Sequence, residues 1–434
     1  MELARYANIL GMRTKSGRLL GFHVRNMEVA ELSPAAWSAL QAGPRTSSEA
    51  RAELEAWNQE IDPLTVDVDI PQQVHSLSVN VIQACNLKCV YCAAGGDGSY
   101  GETLKQIDIE TIEEQIRSAL QSIPFGDEFV LTFFGGEPLL VPDTVRRLAR
   151  FAKSQAAERN IRMRFKLFTN GTNVTPDAAE MLAEIGCHVV ISLDGPPEVH
   201  DRNRATRGGT GSSARALNGL ERLMKVRDRL GSLSAGSVFG KHNTDVLSAY
   251  KYLRPFEFDS LKFDFAADTD DGEASQAYMR SLAATAEYAF SIGGERELRR
   301  ISLFDSYFRV LDQRTRLHNH CGAGKSHFAT DGRGRIVPCQ WFVGRESEEI
   351  GRGFAIDQEK LQAYAPRLNE LNNCASCWAR HLCGGGCMYV NQLKNGSKHV
   401  KDKNFCDRTR YIIAKVIELY AEARLESEGK YETH

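Results

Sequence analysis

From about residue 76 to 310 the apolar positions of this chain switch period repeatedly. Short apolar runs at 77–83, 128–134, 162–168, 188–193, 233–239 and 259–265 read as strands, the first of them alternating as Leu77-Ser78-Val79-Asn80-Val81. Between them lie stretches of helical period. Ile109, Ile112, Ile116, Ala119, Leu120 and Ile123 fall on one face, and Asp108 stands where an N-cap belongs. Strand and helix alternating at this length predict an α/β fold with a parallel sheet and right-handed crossovers.

The flanking segments read differently. Tyr6-Ala7-Asn8-Ile9-Leu10 and Leu19-Leu20-Gly21-Phe22-His23-Val24, separated by Lys15-Ser16-Gly17-Arg18, suit hairpin strands. Helices follow from Ser33-Pro34 and over Ser47 to Ile61, so residues 1–70 form a small α+β region. Pro63 and Pro71-Gln72-Gln73 mark the linker into the strand–helix domain of residues 75–313.

Composition narrows the class. Hydrophobic residues make up 42% and charged residues 25% of 434 positions, enough to bury a core in a globular protein. A formal net charge of −2 offers no basic field for nucleic acid. The N-terminus, Met1-Glu2-Leu3-Ala4-Arg5, opens no long apolar run, so neither a secretion signal nor a membrane partner is expected and the reading is cytoplasmic. Eleven cysteines in such a chain point to metal or redox chemistry rather than a disulfide framework. Cys187, at the entrance to Val189-Val190-Ile191, is the one outside any motif and reads as a buried, inert thiol.

Cys85-Asn86-Leu87-Lys88-Cys89-Val90-Tyr91-Cys92 places three thiols directly after the first strand. Three thiolates can hold three irons of a [4Fe–4S] cubane, leaving the fourth iron open to a substrate or cosubstrate; a zinc knuckle, the alternative, closes at four ligands. The CxxxCxxC spacing after a first strand resembles the radical S-adenosylmethionine (SAM) superfamily. Gly135-Gly136-Glu137-Pro138, after the second strand, is similar to that family's GGEP motif, whose backbone and acid meet the methionyl amine. Ser192-Leu193-Asp194-Gly195-Pro196, then His200-Asp201 and Arg204, resemble its ribose and carboxylate contacts. The resemblance implies a partial (β/α)6 TIM-like barrel with its chemistry at the strand C-terminal ends. There Tyr91, Thr169-Asn170-Gly171 and Ser192 join the SAM-binding set, with a plain turn as the alternative for 169–171.

A second constellation follows: Cys321, Gly334, Cys339, Cys374, Cys377, Cys383, Cys387 and Cys406. Its spacing, C-x12-G-x4-C, then C-x2-C-x5-C-x3-C, then C, resembles the SPASM domain, here residues 314–410, with 411–434 as a C-terminal helix. The resemblance implies one auxiliary [4Fe–4S] cluster on Cys374, Cys377, Cys383 and Cys406 and another on Cys321, Cys339 and Cys387. A zinc ribbon at Cys374 to Cys387 is the alternative. Thr315 to His320 lack the further cysteine that many relatives supply, leaving His318, His320, a substrate thiolate or water for the remaining iron.

Three [4Fe–4S] clusters and SAM imply an oxidoreductase that generates a 5′-deoxyadenosyl radical and needs an external one-electron reductant of flavodoxin or ferredoxin type. Strands followed by small helices at 1–70 resemble winged-helix elements that bind leader peptides; a cap on the barrel is the other reading. Family resemblance thus implies a ribosomal precursor peptide as substrate and an oxidative crosslink as product. Alternatives are a peptide epimerase, an anaerobic sulfatase-maturating enzyme and, outside enzymes, an iron–sulfur electron carrier. Sulfatase maturases carry a basic Asp immediately after the cysteine matching Cys339. Here Gln340 stands in that place, and an amide cannot take the proton. Asp264 and Asp268, near the end of the sixth strand, are the candidate bases.

Overall fold

A computed structural model describes residues 2–42, 48–93, 107–269, 271–353 and 355–428. In chain order its strands are β1 (Glu2–Tyr6), β2 (Ile9–Arg13), β3 (Leu19–His23), β4 (Glu28–Glu31), β5 (Val66–Val68), β6 (Ser76–Ile82), β7 (Leu87–Cys89), β8 (Glu128–Gly135) and β9 (Arg162–Thr169). They continue with β10 (His188–Ser192), β11 (Arg204–Thr206), β12 (Ser232–Phe239), β13 (Ser260–Phe265), β14 (Thr315–Leu317), β15 (His327–Thr330), β16 (Arg335–Val337), β17 (Gly351–Arg352) and β18 (Ala355–Ile356). The chain divides into two compact units: Met1–Asp69 with Leu282–Cys321 and Arg367–His434, and Ile70–Ser281 with Gly322–Pro366.

The second unit holds one sheet in the order β13-β12-β10-β9-β8-β6-β15-β16-β17-β18. Its first six strands are the six expected from the apolar runs. They are parallel, and each neighbours the next one along the chain. A sheet wound in one direction without reversal has the topology of a βα barrel rather than of a doubly wound sheet. β15 adds a seventh parallel strand beside β6, and β16 to β18 continue antiparallel. The apolar pattern did not predict β15 because four residues are too few for a period to show.

Alternation along the strands makes the two faces of this sheet opposite in character. Leu77, Val79, Phe129, Leu131, Phe133, Phe165, Leu167, Val189, Ile191, Leu233 and Leu261 are all buried on one face. There they stack, as Phe133 does on Phe165 with ring centroids 6.2 Å apart. The amphipathic helices Ile109–Ser122 and Pro142–Ala157 bury Ile112, Ile116, Leu120, Val145 and Leu148, and Asp108 caps the first by accepting from the Thr111 amide. The opposite face is polar. Ser78, Thr132, Lys166, His188 and Ser232 sit side by side in register across five strands.

In the first unit β1 to β4 form an antiparallel meander. Ala7 and Asn8 are the turn between β1 and β2, Ala7 with φ 47°, so the run expected from Tyr6 to Leu10 divides there. The helices Pro34–Ala42 and Ser48–Gln59 pack Trp37, Leu40 and Leu54 onto Ile9. A Cβ on Gly11 would lie 2.6 Å from Leu40 Cδ1, so glycine lets that helix approach the strand. The C-terminal helix starts at Lys403, earlier than expected, and so carries Cys406; residues 429–434 of the expected helix lie outside the described residues. Among the described residues no helix is long and apolar enough to cross a membrane.

Candidate active site

The three-cysteine loop leaves β6 through a register shift against β8 between Asn80 and Ile82. Bulges of this kind commonly redirect a strand beside a site. Gly135 and Gly136 close over the same point. A Cβ on Gly135, whose φ is +145°, would meet the Ile82 carbonyl oxygen at 2.2 Å, and one on Gly136 would meet that of Ala84 at 2.0 Å. Without side chains the two glycines let the Gly136 amide donate to Ile82 O (2.7 Å) and the Glu137 amide to Ala84 O (3.0 Å). The end of β8 is thereby fastened to the backbone immediately before Cys85.

The Glu137 side chain then ties the end of β8 to the end of β9. Its Oε1 accepts from the Leu139 amide (3.0 Å) and the Thr169 hydroxyl (2.8 Å), and its Oε2 from the Asn170 amide (2.7 Å). Burial pushes its carboxyl up to about 6, although these donors pull the other way. Pro138 opens the short 3-10 turn that aims the acid. The Asn170 side chain donates to Asn86 Oδ1 (2.9 Å) and Cys85 Sγ (3.7 Å). Thr169 and Asn170 thus connect the acid to the cysteine loop and are more than a turn.

On the far side of the loop β7 pairs with β11, setting Cys89 opposite Arg204. Arg207 Nε donates to the Cys85 carbonyl (3.0 Å) and the Val90 amide to Asn203 O (3.0 Å). Asp194 holds this corner together. Its Oδ2 accepts from the Tyr91 hydroxyl (2.6 Å), and its Oδ1 is 3.1 Å from Arg204 Nε and accepts from the Val238 amide (3.3 Å). The Arg204 guanidinium also lies over the Tyr91 ring, 5.2 Å from its centroid. Burial alone would lower the Arg204 pKa, but the Asp194 charge outweighs it and the guanidinium stays charged. Burial drives the Tyr91 phenol well above its ordinary value. His200, pushed down to about 4 chiefly by burial, is neutral; it accepts from the Asp194 amide on Nδ1 (3.4 Å) and reaches the Ser212 hydroxyl through Nε2 (3.1 Å).

The site therefore brings together Cys85, Cys89, Cys92, Tyr91, Gly135, Gly136, Glu137, Pro138, Thr169, Asn170, Asp194 and Arg204. Ser192, half-buried at the end of β10, points from the polar face, and no hydrogen bond occupies its hydroxyl among the described residues. Asp264 lies on that same face, paired with Lys262 Nζ at 2.9 Å, both side chains about half exposed. Asp268 is exposed beyond the end of β13. Burial raises Cys85 to about 11 and Cys89 to about 12, so these thiols need a cation to ionise at neutral pH. Buried amide atoms of Asn80, Gln83 and Asn203 around the loop have no partner among the described residues, a set of polar groups that fits a polar cofactor.

Sequence reading missed His242, whose ring packs tilted against Tyr91 with centroids 4.8 Å apart, and His327, whose Nδ1 faces Ser76 Oγ (2.8 Å) and whose Nε2 faces Gln340 Oε1 (3.0 Å). Neither stands in a motif. Cys339 is buried in this unit just after β16; Gly334, with φ +73°, makes the preceding turn, where a Cβ would lie 2.4 Å from Thr111 Cγ2.

The first unit holds Cys321, Cys374, Cys377, Cys383, Cys387 and Cys406. Three successive left-handed glycines, Gly384, Gly385 and Gly386, carry the chain from Cys383 to Cys387. A Cβ on Gly384 would sit 2.5 Å from Asn319 backbone atoms, and one on Gly385 2.6 Å from the Asn369 amide nitrogen. Cys374, Cys377 and Cys406 all lie close enough to Cys383 to add, after burial, to the rise of its pKa to about 12. Arg410, which hydrogen-bonds Cys377, and Lys401, close to Cys374 and Cys406, bring positive charge to the group, as an anionic cluster requires. Among the described residues no three His, Cys, Asp or Glu side chains converge to hold a single metal ion. His318 is fully engaged, Nε2 with Asp67 Oδ1 (2.8 Å) and Nδ1 with Asn369 Nδ2 (3.2 Å). His320 faces the Cys383 carbonyl through Nδ1 (3.0 Å). Cys187 is fully buried and its thiol pushed up, an inert core residue as expected.

Comparison with known proteins agrees with this geometry. The model of the Radical SAM superfamily matches residues 79–246. The chain is 22% identical to the radical SAM cyclopropyl synthase TigE of Paramaledivibacter caminithermalis, over 84% of this chain and 79% of that one. It is 24% identical to a cysteine-type anaerobic sulfatase-maturating enzyme of Clostridium novyi, over 77% and 92%. Among solved structures, native anSMEcpe with bound AdoMet and Kp18Cys peptide superposes with a TM-score of 0.67 at 20% identity, covering 80% of this chain and 99% of that one.

Proposed function

Because the chain carries a radical SAM domain, and with it that superfamily's use of a [4Fe–4S] cluster and SAM, we propose that it is a peptide maturase that installs an oxidative crosslink on a ribosomally made precursor. The observation that carries this reading is the fastening of the Cys85–Cys92 loop at the C-terminal ends of the parallel strands, beside Glu137 and the Tyr91–Asp194–Arg204 corner. When bound there, SAM on the cluster supplies a 5′-deoxyadenosyl radical able to take a hydrogen atom from carbon. Cys85, Cys89 and Cys92 hold the cluster; Ser192, Glu137 and the orphaned amides orient the cosubstrate; Asp264 takes the proton released as the new bond forms. Cys374, Cys377, Cys383 and Cys406, and Cys321, Cys339 and Cys387, would hold auxiliary clusters able to take up the remaining electron, and a flavodoxin or ferredoxin would be the external donor.

A crosslink is preferred over formylglycine formation because Gln340 Oε1 is engaged by His327, and an amide in that place accepts no proton. The relatives named above act, by name, as a cyclopropyl synthase and as sulfatase maturases, so the substrate proposed here is a polypeptide. The test is anaerobic incubation of the reconstituted protein with SAM, reductant and the short peptide encoded beside its gene. A peptide lighter by two hydrogens, with stoichiometric 5′-deoxyadenosine, supports crosslinking. An unchanged mass with one inverted residue makes the protein an epimerase, and absence of SAM cleavage removes the reading altogether.

A further inference from the structure

The polar face of the sheet in the second unit carries more positive charge than its own acids neutralise. Lys166, in the middle of β9, lies between Thr132 of β8 and His188 of β10 in register, while its neighbours Phe165 and Leu167 point to the helix-covered face. Arg164 on the same face is matched by Glu128 at 3.2 Å and Lys262 by Asp264 at 2.9 Å. Among the described residues Lys166 makes no ion pair within 4.0 Å; the Asp264 carboxylate, held by Lys262, acts on it only from farther away. The contact of Lys166 among the described residues is with the Phe168 ring, 5.0 Å from the ammonium to the centroid. A partly buried ammonium without a carboxylate in contact is costly: burial lowers its pKa, the charges of Lys262 and Arg164 lower it further, and Asp264 offsets only part of this.

Other donors face the same way. His327 is near enough to Lys166 to feel its charge, and burial keeps the ring neutral. A neutral ring that accepts from the Ser76 hydroxyl on Nδ1 donates through Nε2 to Gln340 Oε1, which fixes the amide and leaves its NH2 group as a donor without a partner among the described residues. An ammonium with no carboxylate in contact, a second ammonium that holds the nearest carboxylate and an oriented amide donor together make an anion site. The row that ends in Lys262 begins at Ser192, so this site continues toward the end of the sheet assigned to the cosubstrate.

We propose that Lys166, assisted by Lys262 and the Gln340 amide, binds a carboxylate of the substrate peptide and so sets which residue is presented for hydrogen abstraction. This rests on the peptide-maturase reading and adds the substrate's chemistry to it. A carboxylate reaches the site either from an Asp or Glu side chain or from a peptide C-terminus, and the ligand for Lys166 is the same in both cases.

The test uses reconstituted protein saturated with SAM and three small probes followed by saturation-transfer NMR: N-acetyl-glutamate methylamide, N-acetyl-glutamine as the free acid, and N-acetyl-glutamine methylamide. Binding of the first points to a side-chain carboxylate, and binding of the second to a C-terminus. In either case Lys166→Met weakens it at least about tenfold, as loss of one charge-assisted hydrogen bond requires, while the neutral third probe binds no better than to the variant. Equal binding of acidic and neutral probes overturns the proposal. So does a Lys166→Met protein, folded by circular dichroism, that binds the acidic probe as the wild type does. A third overturning result is Lys166→Met lowering SAM affinity with no acidic probe bound, because the lysine then serves the cosubstrate's own carboxylate. Probe binding is read without turnover, so failure of SAM cleavage would sink the maturase reading and leave this measurement intact.

Discussion

Gly136→Ala is the sharpest test of how the site is built. The added Cβ would lie 2.0 Å from the Ala84 carbonyl oxygen, whereas real Cβ contacts essentially never fall below 3.0 Å, so the end of β8 and the loop before Cys85 must part by at least 1.0 Å. Both partners are backbone, and no rotamer change relieves the overlap. Separation breaks the bonds from the Gly136 amide to Ile82 O and from the Glu137 amide to Ala84 O. Leaving a partner of each bond unpaired costs about 1–3 kcal/mol. A loss of about 2–6 kcal/mol is therefore expected, lowering Tm of a chain of 434 residues by about 2–7 °C. A 1 Å displacement beside reacting groups also costs about 100-fold in rate. Thermal unfolding, iron content after anaerobic reconstitution and the rate of 5′-deoxyadenosine formation measure the three consequences. A variant with wild-type Tm and wild-type SAM cleavage would refute the argument that glycine is there for close approach.

Three further outcomes follow from the geometry. Changing Cys85, Cys89 and Cys92 together to Ala removes about four irons from a total of about twelve and abolishes 5′-deoxyadenosine; colorimetric iron and chromatography check both. Glu137 has its folded value raised from 4.5 to about 6. It contributes nothing below pH 4.5 and destabilises the cofactor-free fold as pH rises through 6, by about 2 kcal/mol once fully ionised. Urea midpoints for wild type and Glu137→Gln should accordingly diverge in the variant's favour between pH 4.5 and 7, and parallel curves would contradict the assignment. His318→Ala should leave the spectrum of the reduced auxiliary clusters unchanged, since both ring nitrogens are taken by Asp67 and Asn369, yet lower stability by about 1–3 kcal/mol; a changed cluster spectrum would make His318 an iron ligand.

Much of this protein was legible in its residues. All six expected strands are present within a residue or two, because period-2 runs bounded by turn residues report a strand that buries one face. The three-thiol loop, the paired glycines and Glu137 were legible for a related reason: local spacing alone puts such groups at strand ends, and a parallel sheet puts every strand end on one side. Local spacing could not give the partners. That Glu137 is held by Thr169 and Asn170, that Asp194 joins Tyr91 to Arg204, and that His318 is engaged by Asp67 are contacts between residues 32 to 251 positions apart, set by which strands neighbour one another. Lys166 shows the limit most clearly. In the sequence it is one of three basic residues in the run 162–168; only the register across β8, β9 and β10 shows that it shares a polar face with Thr132 and His188, and only the fold shows that it lacks the contacting carboxylate that Arg164 and Lys262 possess. Sequence determines the period of each element, because period is a property of neighbours along the chain; charge balance at a site is a property of neighbours in space, and tertiary structure alone decided it.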